Sequence, residues 1–306
     1  MKKYFNINHR KIEMVLPAEV KRKVTHVENI ATLPSIAIEI LEIIRNDQAG
    51  MKEIAKVIEK DPSVTTKILK VSNSPLWGFP GRVDSVHRSI VLLGLKQVLN
   101  IVIAVSLYST FTKLKPNPYF DREKFWLHSS GTGQIARTLS KKLNLSFQGE
   151  EFVAALIHDL GKLVFDQFLN TQFQQILQYA RESGKQVFIV EKEVLGCNHA
   201  DVAGWLLKKW HFPESIVAAV TYHHNPQDAG NYKVLASVIH IADMLCEMWG
   251  VGFDEDLKKF CLYDDPAWRI LKQFNPNLYK LDVEKFTFEL IHEIEKAQLF
   301  IKLIKD

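Results

Sequence analysis

Apolar residues recur at helical spacing along the whole chain, and this periodicity limits the fold more than any other feature of the sequence. Side chains three and four positions apart share one face of a helix, as Ile36, Ile40 and Ile43 do. Strict alternation of apolar and polar residues, which is typical of half-buried strands, is almost absent, and no internal repeat is found. The sequence therefore predicts an all-α fold.

Proline and glycine divide this pattern into separate helices. Near the N-terminus, one helix is predicted to start near 33–35, where Ser35 can cap, and to stop at Asn46 and Gly50. Others are predicted from Met51 to Glu59 and from Pro62 onward, where Asp61 suits the N-cap. A long helical stretch from 85 to about 111 is interrupted only by Gly94. Further helices are predicted over 122–143, 149–169, 171–184, 187–209, 213–224, 231–249 and 282–304, with short ones at 256–262 and 266–274.

The segment Lys115-Pro116-Asn117-Pro118 interrupts the helical pattern near the first third of the chain. Proline pushes the residue before it out of helical geometry, so two prolines two positions apart terminate a helix. A chain of 306 residues is long enough for two domains of ordinary size. We therefore expect an N-terminal helical domain over 1–115 and a second helical domain over 116–306.

The composition is that of a folded protein, with 47% hydrophobic and 24% charged residues. The N-terminus carries no signal-peptide core, and the longest apolar stretch, Val98–Tyr108, is too short for a bilayer core of roughly 30 Å. Cys197, Cys246 and Cys261 form no zinc-binding spacing, and we interpret them as buried thiols in a reducing compartment. The sequence therefore predicts a cytoplasmic protein with no membrane partner.

Charge and aromatic spacing argue against nucleic acid as a partner. The net charge of +4 is too small to indicate such binding by itself, and the six tryptophans show no stacking spacing. Residues 1–115 nevertheless hold 18 basic and 10 acidic side chains. Residues 116–306 hold 21 basic and 25 acidic side chains, so the two parts could attract each other, and a basic surface for an anionic partner is equally open. Most charge asymmetries of this size are ordinary solvated faces.

The sharpest local signal is the segment His158-Asp159-Leu160-Gly161-Lys162, which ends the apolar run Phe152–Ile157. A carboxylate on a buried helix is costly unless a charge compensates it, and a metal ion would do so. A hydrogen-bonded His-Asp pair could also satisfy itself, so the dipeptide alone is weak evidence for a metal.

Other polar residues lie on apolar helix faces and strengthen the case. His128 and His199 fall on the inward faces of their predicted helices, and Asp243 lies in a run too apolar to leave a carboxylate without a partner. His223 and His224 close the helix that begins near 213. Any single one of them is more often a satisfied core histidine. Five such positions on five helices instead favour a common metal site.

Imidazole and carboxylate ligands without cysteine favour iron or manganese over a structural zinc site, and nickel or zinc also remain open. The polar residues on which this case rests are His128, His158, Asp159, His199, His223, His224 and Asp243.

The order of these residues resembles the HD superfamily of metal-dependent phosphohydrolases, and most closely its HDOD and HD-GYP branches. The N-terminal part is similar to the HDOD branch in particular. The segments that carry this likeness are Leu33-Pro34, Asp61-Pro62, Lys70-Val71-Ser72-Asn73-Ser74 and Ser89-Ile90 through Leu93-Gly94. The resemblance implies an N-terminal helical subdomain packed on an HD-like helical bundle.

The resemblance also implies roles for the site residues. His128, His158, Asp159 and Asp243 would bind one ion, and His199 with His223 or His224 would supply ligands for a second. Lys162 would match a lysine that contacts phosphate, so Lys162 and Asp159 would be the catalytic residues if the site is active. Such a site would bind a phosphate oxygen as a Lewis acid and generate hydroxide near neutral pH.

One departure from the HD-GYP pattern bears on activity. HD-GYP enzymes that hydrolyse cyclic di-nucleotides have a glutamate directly after the paired histidines and a Gly-Tyr-Pro signature beyond it. Here Asn225 follows His224, and no Gly-Tyr-Pro occurs. A neutral amide does not balance metal charge as a carboxylate does. This puts the hydrolysis of cyclic di-nucleotides in doubt.

The leading hypothesis is an HDOD-type signal-transduction module that acts by binding another signalling protein. The alternative is a metal-dependent phosphohydrolase with a phosphodiester or nucleotide substrate. A third hypothesis lies between them, in which the site binds a metal, a nucleotide or a cyclic di-nucleotide as a sensor without chemistry.

Overall fold

The computed structural model of the protein describes residues 16–25, 35–46, 50–75, 77–79, 81–111, 117, 120–147, 149–252, 261–275, 278 and 282–305. Within these ranges the secondary structure is helical and contains no strand, as the periodicity predicts. The first six helices are α1 (Ala18–Thr25), α2 (Ser35–Asn46), α3 (Met51–Glu59), α4 (Pro62–Ser72), α5 (Val86–Leu93) and α6 (Leu95–Phe111).

Eleven more α-helices follow in the described part of the chain. They are α7 (Arg122–Lys142), α8 (Glu150–Ile157), α9 (Leu160–Phe168), α10 (Asn170–Ser183), α11 (Val187–Leu195), α12 (His199–Lys209), α13 (Glu214–Thr221), α14 (Lys233–Met248), α15 (Pro266–Phe274), α16 (Val283–Leu290) and α17 (Glu293–Lys305). A 3-10 helix, Pro226–Tyr232, joins α13 to α14. Most of the short helix predicted at 256–262 lies outside the described residues. Leu33 and Pro34 both lie outside them.

Local sequence signals account for several helix ends. The Asp61 carboxylate accepts hydrogen bonds from the backbone N–H groups of Ser63 and Val64, and Pro62 occupies the first turn of α4. Gly94 has a φ of 85°, which residues other than glycine rarely adopt, and α5 and α6 meet there at a bend of 120°. The stretch predicted as one interrupted helix therefore forms two.

Three other predicted helices are each divided in the structure. The stretch 149–169 turns at His158 and Asp159, between α8 and α9, and the stretch 282–304 divides between α16 and α17. The stretch 187–209 divides because Gly196, with a φ of 73°, ends α11. Asn198 then caps α12, accepting from the Asp201 backbone N–H while the Asp201 carboxylate accepts from the Asn198 N–H.

The second half of the chain is organised around α7, which packs against α8, α14 and α17. One buried hydrophobic cluster runs through this bundle and continues into α2–α6, so helices on both sides of the predicted boundary share a core. At the junction, the Asn100 side chain donates to the Gly149 carbonyl at 3.0 Å. The division into domains at 115/116 stays a prediction, and most of that linker lies outside the described residues.

A second, smaller cluster lies between α10 and α11 and consists of Ile176, Ala180, Val187 and Val190. Gly184, in left-handed conformation, makes the tight connection between these two helices. We call the helix pair 170–195 the α10–α11 hairpin.

The interpretation of all three cysteines as buried thiols is wrong for one of them. Cys197 and Cys246 are buried, but Cys261 is exposed. Cys261 precedes a three-residue 3-10 turn rather than lying on an apolar helix face. Among the described helices, none is by itself long and apolar enough to cross a bilayer. Only the bent pair of α5 and α6 has that length and composition.

Candidate metal centre

The residues singled out in the sequence lie together in the interior of the bundle. His128 is on α7, His158 and Asp159 are in the turn between α8 and α9, and His199 is the first residue of α12. His223 and His224 directly follow α13, and Asp243 is on α14. His224 is half-buried. The other six are at most 8% exposed.

The turn at His158 and Asp159 lies against the start of α12 because Gly161 permits a very close approach. A Cβ atom added at Gly161 would be 2.0 Å from the carbonyl oxygen of His199, a distance no side chain tolerates. Glycine at this position therefore lets Asp159 and His199 come within hydrogen-bond distance.

Four of the residues form one half of the centre, which we call the His128 group: His128, His158, Asp159 and Asp243. The Nε2 atoms of His128 and His158 lie 3.0 and 3.4 Å from Oδ1 of Asp243. The same two nitrogens lie 3.8 and 3.4 Å from Oδ2 of Asp159. Each of the two imidazole nitrogens thus lies within 3.8 Å of an oxygen of both aspartates.

The other half, the His199 group, consists of His199, His223 and His224. Nε2 of His199 lies 2.8 Å from Nε2 of His224. Oδ1 of Asp159 is 3.0 Å from Nε2 of His199 and 3.9 Å from Nε2 of His223. Asp159 therefore presents one oxygen to each group and joins the two.

The hydrogen bonds of the imidazole rings fix which nitrogen carries the proton. In His128, His158, His199 and His223, Nδ1 faces an acceptor that has no proton to give, so Nδ1–H must donate. Each Nε2 of a neutral ring then directs its lone pair into the centre, which is the usual arrangement of metal-binding histidines. The acceptors are the carbonyls of Val251, Ala155 and Val220, at 2.9, 2.6 and 2.7 Å from His128, His158 and His223, and the carboxylate of Glu191, at 2.6 Å from His199.

The donor atoms fit a cation. The Nε2 atoms of His158 and His223 are buried and have no hydrogen-bond partner among the described residues. Ligand atoms about 2.1 Å from an ion lie about 3.0 Å apart at adjacent corners of an octahedron and about 3.4 Å apart in a tetrahedron. The contacts of 2.8, 3.0 and 3.4 Å within the two groups lie close to these separations, and the contact of 3.8 Å between His128 and Asp159 is longer. The buried cluster of histidine and aspartate therefore suggests a divalent metal.

Both carboxylates of the centre carry negative charge, and positive groups already at the site balance part of it. Burial alone would raise the pKa of Asp159, but His158, Lys162 and His199 outweigh it and hold that pKa well below its ordinary value. Burial would likewise raise the pKa of Asp243, but His158 and His128 hold it well below. Both carboxylates are thus ionised at neutral pH, and two buried negative charges require nearby positive charge.

The histidines of the His199 group differ from one another. Burial, reinforced by His158 and His199, lowers the pKa of His223 to about 3, so its ring is neutral and its lone pair is available. Burial also opposes protonation of His199, but Glu191 and Asp159 raise its pKa to about 10. A proton and a metal ion compete for the same lone pair on His199, so metal binding there releases a proton.

Lys162 lies beside the His128 group. Its Nζ is 3.1 Å from Oδ2 of Asp159, and the side chain is buried. The Asp159 carboxylate therefore has the Lys162 ammonium group at hydrogen-bond distance, in addition to the imidazole nitrogens.

Two carboxylates near the centre escaped the sequence analysis. Glu247, one turn after Asp243 on α14, has Oε1 3.6 Å from Nδ1 of His128. Glu191 on α11 accepts hydrogen bonds from both the backbone N–H and the Nδ1–H of His199. The four-residue spacing from Asp243 could have identified Glu247. Glu191 stands in the charged run Glu191-Lys192-Glu193, which reads as a solvated face, so nothing local identifies it.

On the side of the paired histidines, the half-buried rings of His224 and Phe188 form the edge of the centre. Phe188 of α11 stacks on His224, with ring centroids 4.1 Å apart and planes at 13°. Asn225 is exposed and its amide donates to Asp228, so it points away from both groups. Cavities of about 1050 Å³ between α6, α7 and α17 and about 440 Å³ beside α13 are lined by other residues.

The sequence matches the HDOD domain family over residues 30–226, which is more than half of the chain. The chain belongs to the HDOD family. A curated relative, an uncharacterised protein of Treponema pallidum, is 24% identical over 220 residues. That match covers 71% of this chain but 42% of the relative, so the chain spans about two fifths of the relative's length.

Solved structures show that the HDOD chain shares its fold with several bacterial proteins. An HDOD domain protein of unknown function from Geobacter sulfurreducens superposes with a TM-score of 0.80 at 21% identity, covering 92% of this chain and 96% of that one. A proposed signal-transduction protein from Marinobacter aquaeolei (TM-score 0.72, 22% identity) covers 91% and 60%. A proposed phosphohydrolase from Shewanella amazonensis (TM-score 0.72, 22% identity) covers 95% and 99%. At these identities the likeness shows the fold alone.

Proposed function

We propose that this HDOD protein is a metal-binding regulatory module that acts by binding another signalling protein. The observation that carries the proposal is a cluster of imidazole and carboxylate donors in which six of the seven residues are buried. A hydrolase must admit a phosphate group to its ions, whereas the six most buried residues of the centre are at most 8% exposed. The exposed position of Asn225 supports the same reading, because the amide does not reach either group.

Iron or manganese is the proposed metal. Two carboxylate oxygens beside imidazole nitrogens form a mixed set that suits these ions better than a structural zinc site, which is typically rich in cysteine. Elemental analysis of protein purified without chelators tests this proposal directly. We expect iron or manganese in amounts stoichiometric with the chain. Protein that contains neither ion and gains no thermal stability when they are added would contradict it.

The second candidate function is a metal-dependent phosphohydrolase acting on a phosphodiester or a nucleotide. Lys162 beside Asp159 favours it, since an ammonium group at that place suits a phosphate oxygen. A bound ion would supply Lewis acidity and a hydroxide near neutral pH. In that reading Asp159 and the histidines hold the ion, and Lys162 binds and orients the phosphate.

An activity assay separates the two candidates. Purified protein loaded with Mn²⁺ or Fe²⁺ is incubated with cyclic di-nucleotides, nucleoside phosphates and a nitrophenyl phosphodiester, alongside Asp159→Ala. The regulatory proposal expects no turnover above that of the variant. Turnover that is lost in Asp159→Ala and Lys162→Ala would establish the hydrolase instead.

A further inference from the structure

The α10–α11 hairpin covers the His199 group with two side chains. Phe188 stacks flat on the ring of His224, and Glu191, one turn later on the same helix, bonds His199. Two of the three histidines in the group therefore contact α11 directly. α11 supplies no ligand to the group itself. Its side chains instead contact the ring of His224 and the Nδ1–H group of His199.

Glu191 is an unusual carboxylate. It is 0% exposed, and Oε2 accepts from the backbone N–H of His199 at 2.8 Å and from its Nδ1–H at 2.6 Å. Oε1 is buried and has no hydrogen-bond partner among the described residues. Among the described ion pairs, its partner is His199. Burying a carboxylate costs free energy, so Glu191 requires a strong compensating interaction at this position.

The contact between the two helices of the hairpin is partly separate from the main core. The four innermost residues between its helices form their own small cluster, separate from the main core. Leu177 and Leu195 are half-buried and border both clusters. The bond from Glu191 to His199 and the stacking of Phe188 on His224 are the contacts by which α11 meets the centre.

We propose that Glu191 is a positioning residue for the His199 group and that it couples cation binding to the docking of the α10–α11 hairpin. This inference rests on the proposed metal-binding function. When a cation takes the place of the proton on Nε2 of His199, Nδ1–H still donates to Glu191, and the cation would hold His199 and His224, the two rings that α11 contacts, in one fixed arrangement. In turn, the carboxylate makes His199 a better ligand and fixes its orientation.

The coupling works in both directions, because two linked equilibria change each other by the same factor. A cation at the His199 group tightens α11 over the centre, and loss of the cation loosens it. The hairpin carries exposed apolar side chains on its outer side, Tyr179, Ile189 and Val194. Binding of a cation at the buried centre would thereby change how firmly this exposed hairpin is held, as a regulatory module requires.

The test uses the full chain, MnCl₂ as the probe and three variants. Glu191→Gln removes the charge at nearly constant size. Glu191→Asp retains the charge. Glu193→Gln is the matched control, since Glu193 is exposed on the same helix and pairs with Lys185. Manganese affinity and stoichiometry are measured by calorimetry, and backbone hydrogen exchange is followed by mass spectrometry with and without MnCl₂.

In the wild type and in Glu193→Gln, manganese is expected to slow exchange of the α11 amides about tenfold or more and to leave α3 unchanged. Glu191→Gln is expected to lose about 10- to 100-fold in affinity for one manganese ion, the usual effect of removing an outer carboxylate. Its α11 amides should no longer respond to the metal. Glu191→Asp should recover part of both effects.

Separate outcomes overturn the inference and the proposed function. If the wild type binds manganese but Glu191→Gln shows the same affinity and the same protection, only the inference fails. If the wild type binds neither manganese nor iron, the metal-binding proposal fails and takes the inference with it. Should Glu191→Gln not fold, the wild type alone decides, because manganese that leaves α11 exchange unchanged contradicts the coupling.

Discussion

At the scale of single residues, Gly161 has the most restrictive role. It allows the turn that carries Asp159 to lie against the first residue of α12, where a methyl group would collide with the His199 backbone. The position of His199 relative to Asp159 thus depends on the absence of a side chain two residues away from the aspartate.

Gly161→Ala is expected to separate α9 from α12 and to weaken manganese binding at least tenfold. Forcing a methyl group into a packed interior costs about 1–3 kcal/mol of unfolding free energy. Urea unfolding and calorimetric titration measure the two effects. Gly50→Ala is the control, because a Cβ there meets no atom closer than 4.0 Å. Equal metal affinity in Gly161→Ala and the wild type would contradict this account.

His240 holds the turn of the paired histidines in place. Its Nδ1 is 2.7 Å from the carbonyl of His223 and its Nε2 is 3.1 Å from the Asp265 carboxylate. Both partners are acceptors only, so both ring nitrogens carry protons. Burial alone would lower the pKa of His240, but Asp265 outweighs it and raises the pKa, while His240 holds the pKa of Asp265 below its ordinary value against the effect of burial.

The sign of the pH dependence follows from these two directions. The contribution of His240 is complete below its unfolded pKa, about 6.5, and is lost as pH rises through the raised folded value. The contribution of Asp265 is present above about pH 3.9 and is lost as pH falls. A double-mutant cycle of His240→Gln and Asp265→Asn, by urea unfolding, should therefore give a coupling of about 1–3 kcal/mol at pH 5.5. The coupling should shrink at pH 9.5, and a value independent of pH would contradict the ion pair.

Sequence reasoning identified the residues whose polarity conflicts with their surroundings. His128, His199 and Asp243 lie on apolar helix faces, where a polar group without a partner is costly, so they were recognisable one by one. Glu191 was not recognisable from the sequence. An amphipathic helix has two faces, and only the packed structure shows which face of α11 turns inward.

At the scale of elements, the helix breaks determine where the ligands point. The His158-Asp159 pair and His199 all lie at helix ends. The sequence contains the signals for the second break, in Gly196 and in the Asn198–Asp201 capping pair, but the helical periodicity runs through them. Periodicity reports which side chains share a face and is insensitive to a turn that keeps the same face buried.

Asn198→Ala should remove the side-chain cap of α12 and cost about 1 kcal/mol of stability. Because the next residue is His199, the frayed first turn should also weaken manganese binding several-fold. Asp282→Ala is the matched control, since Asp282 caps α16 by accepting from the Lys285 backbone N–H and is remote in sequence from every ligand. Thermal unfolding should fall in both variants, whereas calorimetry should show weaker binding in Asn198→Ala alone.

At the scale of the whole molecule, the centre connects α7, the α8–α9 turn, α12, the end of α13 and α14. The all-helical class was predictable because the 3.6-residue period is local information. The meeting of five segments was not, because packing of distant helices is decided by side chains far apart in the chain. The family resemblance supplied that step, and the division at 115/116 stays a prediction.

A cation that binds only the folded chain stabilises it by mass action, by about 2.7 kcal/mol at a free concentration one hundred times the dissociation constant. Removing metal with a chelator should therefore lower the melting temperature by several degrees, and excess Mn²⁺ should restore it. Asp159→Ala should melt at the same temperature with and without the chelator. Differential scanning calorimetry measures these melting temperatures. A wild-type melting temperature that changes with neither treatment would contradict a metal that bridges the helices.

Asp159 has one oxygen in each half of the centre, which restricts how the two halves fill. A first ion that draws on this carboxylate leaves less negative charge for a second, so successive ions are expected to bind with unequal strength. A titration should then show two separate steps rather than one, and both steps should vanish when this single side chain is removed.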